Sequence, residues 1–139
     1  MYFRNEYYFL SNMYPCKIKV TRRKDNKEFV FGSVECAFQA CKEQSKMELF
    51  VGLNGYEAKK LGRRVSLPSN WNTVKVSIME MLLRKKFEDE SLMNLLRNVK
   101  GEIVEDNTWN DTYWGKCNNK GSNVLGTLLM KIRDERLNK

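Results

Sequence analysis

Apolar and polar residues alternate near the start of the chain in the pattern of paired β-strands. The segments CKIKV (16–20) and KEFVFG (27–32) contain mainly β-forming residues, and the sequence between them includes Asp25 and Asn26, which favour turns. Two such runs around a turn predict a β-hairpin. The preceding YYFL (7–10) predicts a third short strand. The N-terminal part is therefore expected to form a small sheet.

After the hairpin, the apolar residues recur at helical intervals. Ser33 is the predicted N-cap of a helix from Val34 to about Lys46, and Asn54 caps a second helix that ends near Gly62. GEIVED (101–106) predicts a brief strand. Three further helices have predicted apolar faces made of Val74, Ile78, Met81 and Leu82, of Leu92, Leu95 and Leu96, and, after Ser122, of Val124, Leu125, Leu128, Leu129 and Ile132.

The expected fold is α+β: a compact single domain over residues 1–139, mostly helical, with a small N-terminal hairpin. A chain of 139 residues with 42% hydrophobic residues is long enough to bury one core. Gly126 inside the last helix costs about 1 kcal/mol relative to Ala, which predicts close packing at that position.

The composition limits the expected cellular location of the protein and the kinds of partner that it binds. No run of about eighteen apolar residues exists and the N-terminus does not resemble a signal peptide, so a cytoplasmic protein without a membrane partner is expected. The formal charge of +8 favours anionic partners. The four cysteines show no zinc-type spacing, so we expect reduced thiols that pack as small apolar groups, and no metal.

The chain contains no histidine, and this absence excludes several kinds of catalytic site. Ser-His-Asp and Cys-His nucleophiles and histidine-liganded zinc are ruled out. The glycine patterns of dinucleotide and P-loop folds are also absent, so no cofactor is expected. Any chemistry must use Asp, Glu, Lys, Cys, Tyr or the backbone.

The first predicted helix has a polar stripe beside its apolar face. The stripe residues are spaced four, three and four apart, which places them about 120° from the centre of the apolar arc. They are Glu35, Gln39, Lys42 and Lys46. This border position is compatible with a solvated helix face and with the wall of an active site. Glu35 is in the first turn, where the helix dipole favours a carboxylate, and Lys42 would become a nucleophile if it were desolvated.

A second candidate region is the segment 104–123, which concentrates aromatic residues, acidic residues and two glycines between the last two predicted elements. Trp109, Tyr113 and Trp114 are suited to stacking on a planar base, and Asp111 is suited to a sugar centre that develops positive charge. A loop that is merely pinned by its tryptophans is the alternative.

Six segments in series resemble one family. They are FLSN (9–12), VECAFQACK (34–42), KKLGRRVSLPSNW (59–71), LLRKKF (82–87), IVEDNTWNDTYWG (103–115) and GSNVLGTLLMKIR (121–133). Their order is similar to that of the YbiA-like, or NADAR, family, and the resemblance covers almost the whole chain. It implies a mostly helical α+β fold and cleavage of N-glycosidic bonds. The implied substrates are ribosylamino phosphates of riboflavin synthesis, or ADP-ribose on guanine in nucleic acid and related NAD-derived compounds.

The resemblance also assigns site residues by position. The implied catalytic residues are Glu35, Lys42 and Asp111. The implied substrate-binding residues are Arg4, Ser11, Asn12, Gln39, Arg63, Trp71, Trp114, Gly115, Gly121 and Asn123. Trp109 joins them on local reasoning alone. Two positions depart from the family pattern: Cys36 replaces the usual His, and Pro68 stands where a basic residue is common.

The resulting hypothesis places Glu35 and Asp111 at the sugar of a common pocket. Lys42 either protonates the departing nitrogen or attacks C1 of a ring-opened sugar to form a Schiff base. The partner would be a phosphorylated nucleotide-like molecule or ADP-ribosylated nucleic acid, and the oligomeric state stays open. A module that binds ADP-ribose or nucleic acid without cleaving it is the competing hypothesis.

Overall fold

The computed structural model describes residues 1–137 and has the expected α+β composition. The chain divides into two compact units. The central unit is Asn12–Lys86, and the terminal unit combines Met1–Ser11 with the segment from Phe87 onward. The expectation of a single domain stays a prediction.

The central unit begins with the predicted hairpin. Strands β1 (Ile18–Thr21) and β2 (Glu28–Phe31) are antiparallel, and Ile18 is paired with Phe31. Side chains on alternate positions of both strands are buried, as a sheet with one covered face requires.

Helix α1 (Val34–Ala40) begins where it was predicted and ends six residues earlier than expected. The Ser33 hydroxyl accepts a hydrogen bond from the Cys36 amide at 3.0 Å, which confirms the N-cap. The chain then forms a 3₁₀ helix (Gln44–Phe50) that is kinked at Lys46, where the backbone is not helical. The buried Met47 and Phe50 that follow the kink are three residues apart, the repeat of that helix type. The prediction that α1 reaches Lys46 was therefore wrong.

Two more helices complete the central unit. Helix α2 (Gly55–Gly62) starts with the predicted Asn54 cap, and Glu57 completes a reciprocal capping box. Helix α3 (Trp71–Lys86) contains all four residues of the predicted apolar face. Its buried face differs from the prediction, because Met79 and Leu83 are buried while Met81 is 40% exposed. A helix with apolar residues on several sides does not specify which side is covered.

The terminal unit holds the remaining elements. A 3₁₀ helix (Asn5–Leu10) replaces the strand that was predicted at 7–10. Its two buried side chains, Phe9 and Leu10, are consecutive, whereas a strand would direct them to opposite faces. Helix α4 (Glu90–Arg97) confirms the predicted short helix, although Leu95 is 47% exposed.

Strands β3 (Asp106–Asn107) and β4 (Lys116–Cys117) form a short parallel pair, so only the end of the predicted strand 101–106 is extended in a sheet. Helix α5 (Val124–Leu137) buries Leu125, Leu128, Leu129 and Ile132 as predicted. The Arg133 guanidinium is buried and donates to the carbonyls of Val99 and Gly101, at 2.9 and 2.7 Å. These bonds hold the segment after α4 against α5.

The cysteines are free thiols, and those at positions 36, 41 and 117 are buried. Burial raises the pKa of Cys36 and of Cys41 to about 11, which keeps both thiols protonated and inert at neutral pH. None of the helices within residues 1–137 combines the length and apolarity needed to cross a membrane.

Lys86, at the end of α3, should make stability depend on pH. Burial lowers the pKa of its ammonium to about 7, against a weaker opposing effect of Cys16. Above pH 7 the unfolded chain binds more protons at this lysine than the folded chain does, so the free energy of unfolding should rise with pH until the ordinary lysine pKa. In Lys86→Met, the free energy of unfolding should rise less steeply with pH, by up to about 1.4 kcal/mol for each pH unit.

Urea denaturation of both proteins between pH 7 and 9 measures the difference. Lys85→Met, at the half-buried neighbouring position, should leave the slope unchanged. An unaltered slope in Lys86→Met would contradict the lowered pKa.

Candidate functional site

The polar stripe of α1 lies at the border of the buried face, and three of its four predicted members belong to it. Glu35 is half-buried in the first turn, and Gln39 is buried one turn later. The Gln39 amide donates to Glu35 Oε1 at 2.8 Å. The fourth member, Lys46, lies on the 3₁₀ helix and pairs with Glu43 at 3.6 Å. Lys46 is therefore removed from the stripe.

Lys42 follows the last turn of α1 and is half-buried. Its backbone amide still donates to the Gln39 carbonyl at 3.2 Å, so the chain keeps a helical course up to Lys42. Burial lowers the pKa of the Lys42 ammonium, the attraction of Glu35 raises it, and the repulsion of Arg63 and Lys59 lowers it further. A neutral amine is accordingly more accessible here than at an exposed lysine.

Two glycines of α2 allow that helix to approach the stripe. A Cβ atom on Gly55 would overlap the sulfur of Met13 and come within 3.4 Å of the Glu35 Cβ. A Cβ atom on Gly62 would overlap the side-chain oxygen of Gln39. The α2 backbone therefore covers one side of Glu35 and Gln39 and limits their rotamers.

Asn12 is a further polar residue that contacts the stripe. Its carbonyl accepts the Glu35 amide at 3.0 Å, and its side-chain amide meets the sulfur of Met79 at 3.5 Å. Asn12 Oδ1 and Gln39 Oε1 are both buried and have no hydrogen-bond partner among the residues described. Buried orphan acceptors are rare, so Asn12 Oδ1 is a candidate for contact with a hydroxyl or amino group of a ligand, whereas Gln39 Oε1 is covered by the α2 backbone at Gly62.

The other predicted residues of the central unit differ in exposure. Arg63 caps the C-terminal end of α2 and is exposed. Trp71 is only 7% exposed, and its ring lies 5.2 Å from the Phe38 ring. This packing accounts for Trp71 as a core residue.

In the terminal unit, Asp111 organises the aromatic loop. Its Oδ1 accepts hydrogen bonds from the amides of Tyr113 and Trp114, at 3.1 and 2.9 Å. Asn107 binds Asp111 from the other side, since its side chain donates to the Asp111 carbonyl at 2.8 Å and accepts the Asp111 amide at 3.1 Å. Sequence reasoning missed Asn107, whose adjacency to the tryptophan loop was the available signal.

The aromatic side chains of this loop differ in exposure. Trp109 is 58% exposed, whereas Trp114 is half-buried and meets Tyr113 edge to face at 5.0 Å. Asn107 and Asp111 provide hydrogen bonds that hold this loop, and Trp109 is the most exposed of its three aromatic side chains.

Asn123 and its neighbouring glycines have structural contacts. The Asn123 side chain accepts the Glu105 amide at 3.0 Å and donates to the Ile103 carbonyl at 2.9 Å. A Cβ atom on Gly115 would overlap the Glu105 carbonyl, and one on Gly121 would overlap the Gly115 carbonyl. Close backbone packing accounts for both glycines without a ligand.

Gly126 confirms the predicted close packing in α5. An added Cβ would overlap the Ile103 carbonyl and the Asn123 side chain. Gly126→Ala should therefore lower the free energy of unfolding by about 2 kcal/mol, although alanine is the better helix former. Urea denaturation measures the change. A stabilised Gly126→Ala protein would contradict this packing.

Arg4 and Ser11 complete the predicted set. The Arg4 guanidinium is exposed and lies 4.7 Å from the centre of the Tyr2 ring, and the Ser11 amide donates to the Tyr8 carbonyl at 2.9 Å.

Of the predicted site residues, the structure brings together Glu35, Gln39, Asn12 and Lys42 in the central unit. The participation of Asp111 with them stays a prediction.

The NADAR domain model matches residues 1–137. The chain belongs to the NADAR family.

Individual relatives agree with this family membership. The chain is 42% identical to N-glycosidase YbiA of Shigella flexneri over 83 residues, which are 56% of this chain and 51% of the relative. The chain thus spans about half the length of these curated relatives. The riboflavin biosynthesis protein PYRR of Zea mays is 27% identical over 142 residues, which are 90% of this chain and 23% of that protein. The NMR structure of YbiA from Escherichia coli has a TM-score of 0.80 at 32% identity, and covers 99% of this chain and 84% of that one.

Cys36 occupies the position where the resemblance to the NADAR family expects His. Its side chain is fully buried, and the thiol donates to the Phe50 carbonyl at 2.9 Å. At this position the side chain joins α1 to the 3₁₀ helix. Among residues 1–137, no cluster of three or more His, Cys, Asp or Glu side chains is suited to holding a metal ion.

Proposed function

We propose that this NADAR protein hydrolyses the N-glycosidic bond between a ribosyl sugar and a base nitrogen. Several relatives are named N-glycosidases. The observation that carries the proposal is the position of Lys42 just after α1: this half-buried amine, whose pKa is lowered by burial, lies within electrostatic reach of the Glu35 carboxylate in the first turn of α1. Binding alone does not require such a pair.

Glu35 is suited to the positive charge that develops at C1. Hydrolysis of an N-glycoside passes through an oxocarbenium-like centre, which a nearby carboxylate stabilises. The Gln39 amide donates to Glu35 Oε1, and this hydrogen bond orients the carboxylate. The same carboxylate can also activate the attacking water.

Lys42 has two possible parts in the reaction. As an ammonium it donates its proton to the departing base nitrogen while water adds to C1. As a neutral amine it attacks C1 of the ring-opened sugar: the C1–N bond to the base breaks, the base leaves with a proton, and the imine that forms with Lys42 is hydrolysed by water to release the sugar. The lowered pKa of Lys42, caused first by burial, supports either route.

The proposed substrate is ADP-ribose attached to guanine, or a related NAD-derived compound. The charge of +8 supports a polyphosphorylated or nucleic-acid substrate. Binding to ADP-ribosylated nucleic acid should weaken steeply with salt, whereas binding to a small phosphorylated metabolite should show a shallower dependence.

A ribosylaminopyrimidine phosphate is the second candidate substrate. It is favoured by the similarity to the riboflavin biosynthesis protein PYRR of Zea mays, which extends over 90% of this chain.

One experiment tests the activity and separates the substrates. The protein is incubated with ADP-ribosylated guanine, a ribosylaminopyrimidine phosphate and NAD in parallel, and the released bases are identified by mass spectrometry. We expect free guanine in the first reaction. Base release confined to the pyrimidine would transfer the assignment to the second candidate. Binding of these compounds without release of any base would refute the proposed hydrolysis and favour the binding module.

A further inference from the structure

The β1–β2 hairpin of the central unit is rich in exposed cations. Residues 17–28 contain six lysines and arginines and two carboxylates. Five of the six cations are exposed to solvent, and together they are named the basic hairpin surface: Lys17, Lys19, Arg23, Lys24 and Lys27. None of them belongs to the polar stripe of α1, so the proposed chemistry leaves this surface without a role.

The sixth cation, Arg22, is buried and holds the turn of the hairpin in place. Its guanidinium pairs with Asp25 at 2.7 Å and with Glu48 at 3.0 Å, and it donates to the Gln44 carbonyl at 2.9 Å. The Arg22 amide also donates to the Lys27 carbonyl at 2.9 Å. Arg22 therefore partly neutralises Asp25 and Glu48, and the fixed turn presents the neighbouring cations to solvent.

The outer cations exceed the carboxylates that pair with them. Glu28 pairs with Lys19 at 3.6 Å, and both side chains are exposed. Within residues 1–137, Lys17, Arg23 and Lys24 form no ion pair with a carboxylate. An extended anion that lies along the hairpin therefore meets three cations whose charge is not already matched by a paired carboxylate.

The basic hairpin surface ends close to the candidate site of the same unit. Each strand of the hairpin has four residues, a length of about 13 Å. The turn with Arg23 and Lys24 is at one end, and at the other end only Gly32 and Ser33 separate β2 from α1. Glu35 follows Gly32 by three residues, so their Cα atoms are at most about 11 Å apart. A polymer with regularly spaced anions can thus contact the hairpin and extend to the start of α1.

We infer that the basic hairpin surface binds the phosphate backbone of a nucleic-acid strand. Lysine and arginine contacts to phosphates position a protein on a strand without reading its sequence. An anionic membrane is a less suitable partner, because peripheral membrane elements add large apolar anchors to their cations. Within residues 17–32, Val30 is the one exposed large apolar side chain. The inference rests on the proposed function only for the modified base, since an unmodified strand should also bind.

Fluorescence anisotropy with a labelled single-stranded oligonucleotide tests the surface without turnover. Arg23→Gln and Lys24→Gln should each weaken binding about fivefold. Each should also reduce the slope of log K against log salt concentration by about 0.7, the value for one phosphate contact. Arg23→Lys keeps the charge, so its affinity and its salt slope should equal those of the unmodified protein. Circular dichroism checks that these exposed substitutions leave the fold intact.

The matched control is Lys100→Gln, which removes one positive charge from an exposed position of the terminal unit. Its affinity and its salt slope should equal those of the unmodified protein. An equal loss in Lys100→Gln would show a general field effect and overturn the surface, as would unchanged binding in Arg23→Gln and Lys24→Gln. Binding to phosphatidylserine vesicles without binding to the oligonucleotide would overturn the nucleic-acid partner.

Base release separates this surface from the proposed hydrolysis. The substrates are ADP-ribosylated guanosine and an oligonucleotide that carries the same modified base. In Arg23→Gln and Lys24→Gln, the ratio of kcat/KM for the oligonucleotide to kcat/KM for the nucleoside should fall about fivefold. An unchanged ratio would overturn the surface and leave the hydrolysis standing. Hairpin-dependent binding without base release from either substrate would refute the hydrolysis and support the surface.

Discussion

Lys42→Ala should lower the rate of base release by about a thousandfold or more. Both routes proposed for this amine need it at the reacting centre, and either proton donation or covalent catalysis contributes on that scale. The single-turnover rate with ADP-ribosylated guanine is the appropriate measurement, because it reports the chemical step rather than product release. The free energy of unfolding should change little, since Lys42 is half-buried at the end of a helix.

Lys46→Ala is the matched control for this prediction. Lys46 was part of the stripe in the sequence pattern, but it lies on the 3₁₀ helix and pairs with Glu43. It carries the same charge as Lys42 and is exposed, so its removal should leave the rate within about twofold. Equal losses in both variants would indicate that net charge matters, and that Lys42 has no special part in the chemistry.

Borohydride reduction during turnover separates the two routes of Lys42. A Schiff base would be trapped as a stable amine, and peptide mass spectrometry would find the sugar on Lys42. Proton donation leaves no adduct. Full activity in Lys42→Ala would refute both routes, and the function would then rest on the family membership alone.

Local signals predicted the hairpin and the helix starts because a few neighbouring residues determine them. The Asp25-Asn26 turn between β-forming runs, the Ser33 cap and the Asn54 cap are each confirmed. Capping uses side chains within three residues of the helix start, so tertiary packing does not have to be known.

The end of α1 depends on contacts that are distant in sequence. Glu43 adopts an extended backbone and accepts the Ser66 amide, 23 residues away. The burial of Met47 and Phe50 then favours the 3₁₀ helix over a continued α-helix. The helical periodicity of the sequence shows neither the contact of Glu43 with Ser66 nor the burial of Met47 and Phe50. The predicted helix and its polar stripe were therefore extended to Lys46.

Helix faces were mispredicted for a related reason. Met81 and Leu95 are apolar and lie at helical intervals from buried residues, yet both are exposed. Lys86 is polar by type and is buried at the end of α3. Which side of a helix is covered depends on the partner elements, and the pattern of a single helix does not include them.

The residues of the candidate site also divide into those that local sequence patterns predict and those that depend on tertiary packing. Glu35, Gln39 and Lys42 could be predicted as one group because they recur at helical intervals, and the chain keeps a helical course from α1 up to Lys42. Lys59 could not, because its proximity to Lys42 arises from the packing of α2 against α1. Three residues that match positions of the family motifs make close contacts with backbone groups in the structure. They are Asn123, Gly115 and Gly121.

Asp111→Asn and Asp111→Ala together separate the two possible roles of Asp111. Its Oδ1 accepts the amides of Tyr113 and Trp114, and this function requires an acceptor but no charge. Asparagine keeps the acceptor and removes the charge, whereas alanine removes both. If Asp111 acts on the sugar, both variants should lose about a hundredfold in single-turnover rate, while only Asp111→Ala should lose about 1–2 kcal/mol of stability.

Glu102→Gln is the control for charge, because it removes one carboxylate from an exposed position of the same unit. Its rate and its stability should match those of the unmodified protein. Near-normal turnover in Asp111→Asn, combined with a loss in Asp111→Ala, would assign Asp111 to loop geometry alone. The carboxylate chemistry would then belong to Glu35, whose position on α1 is held independently by Gln39.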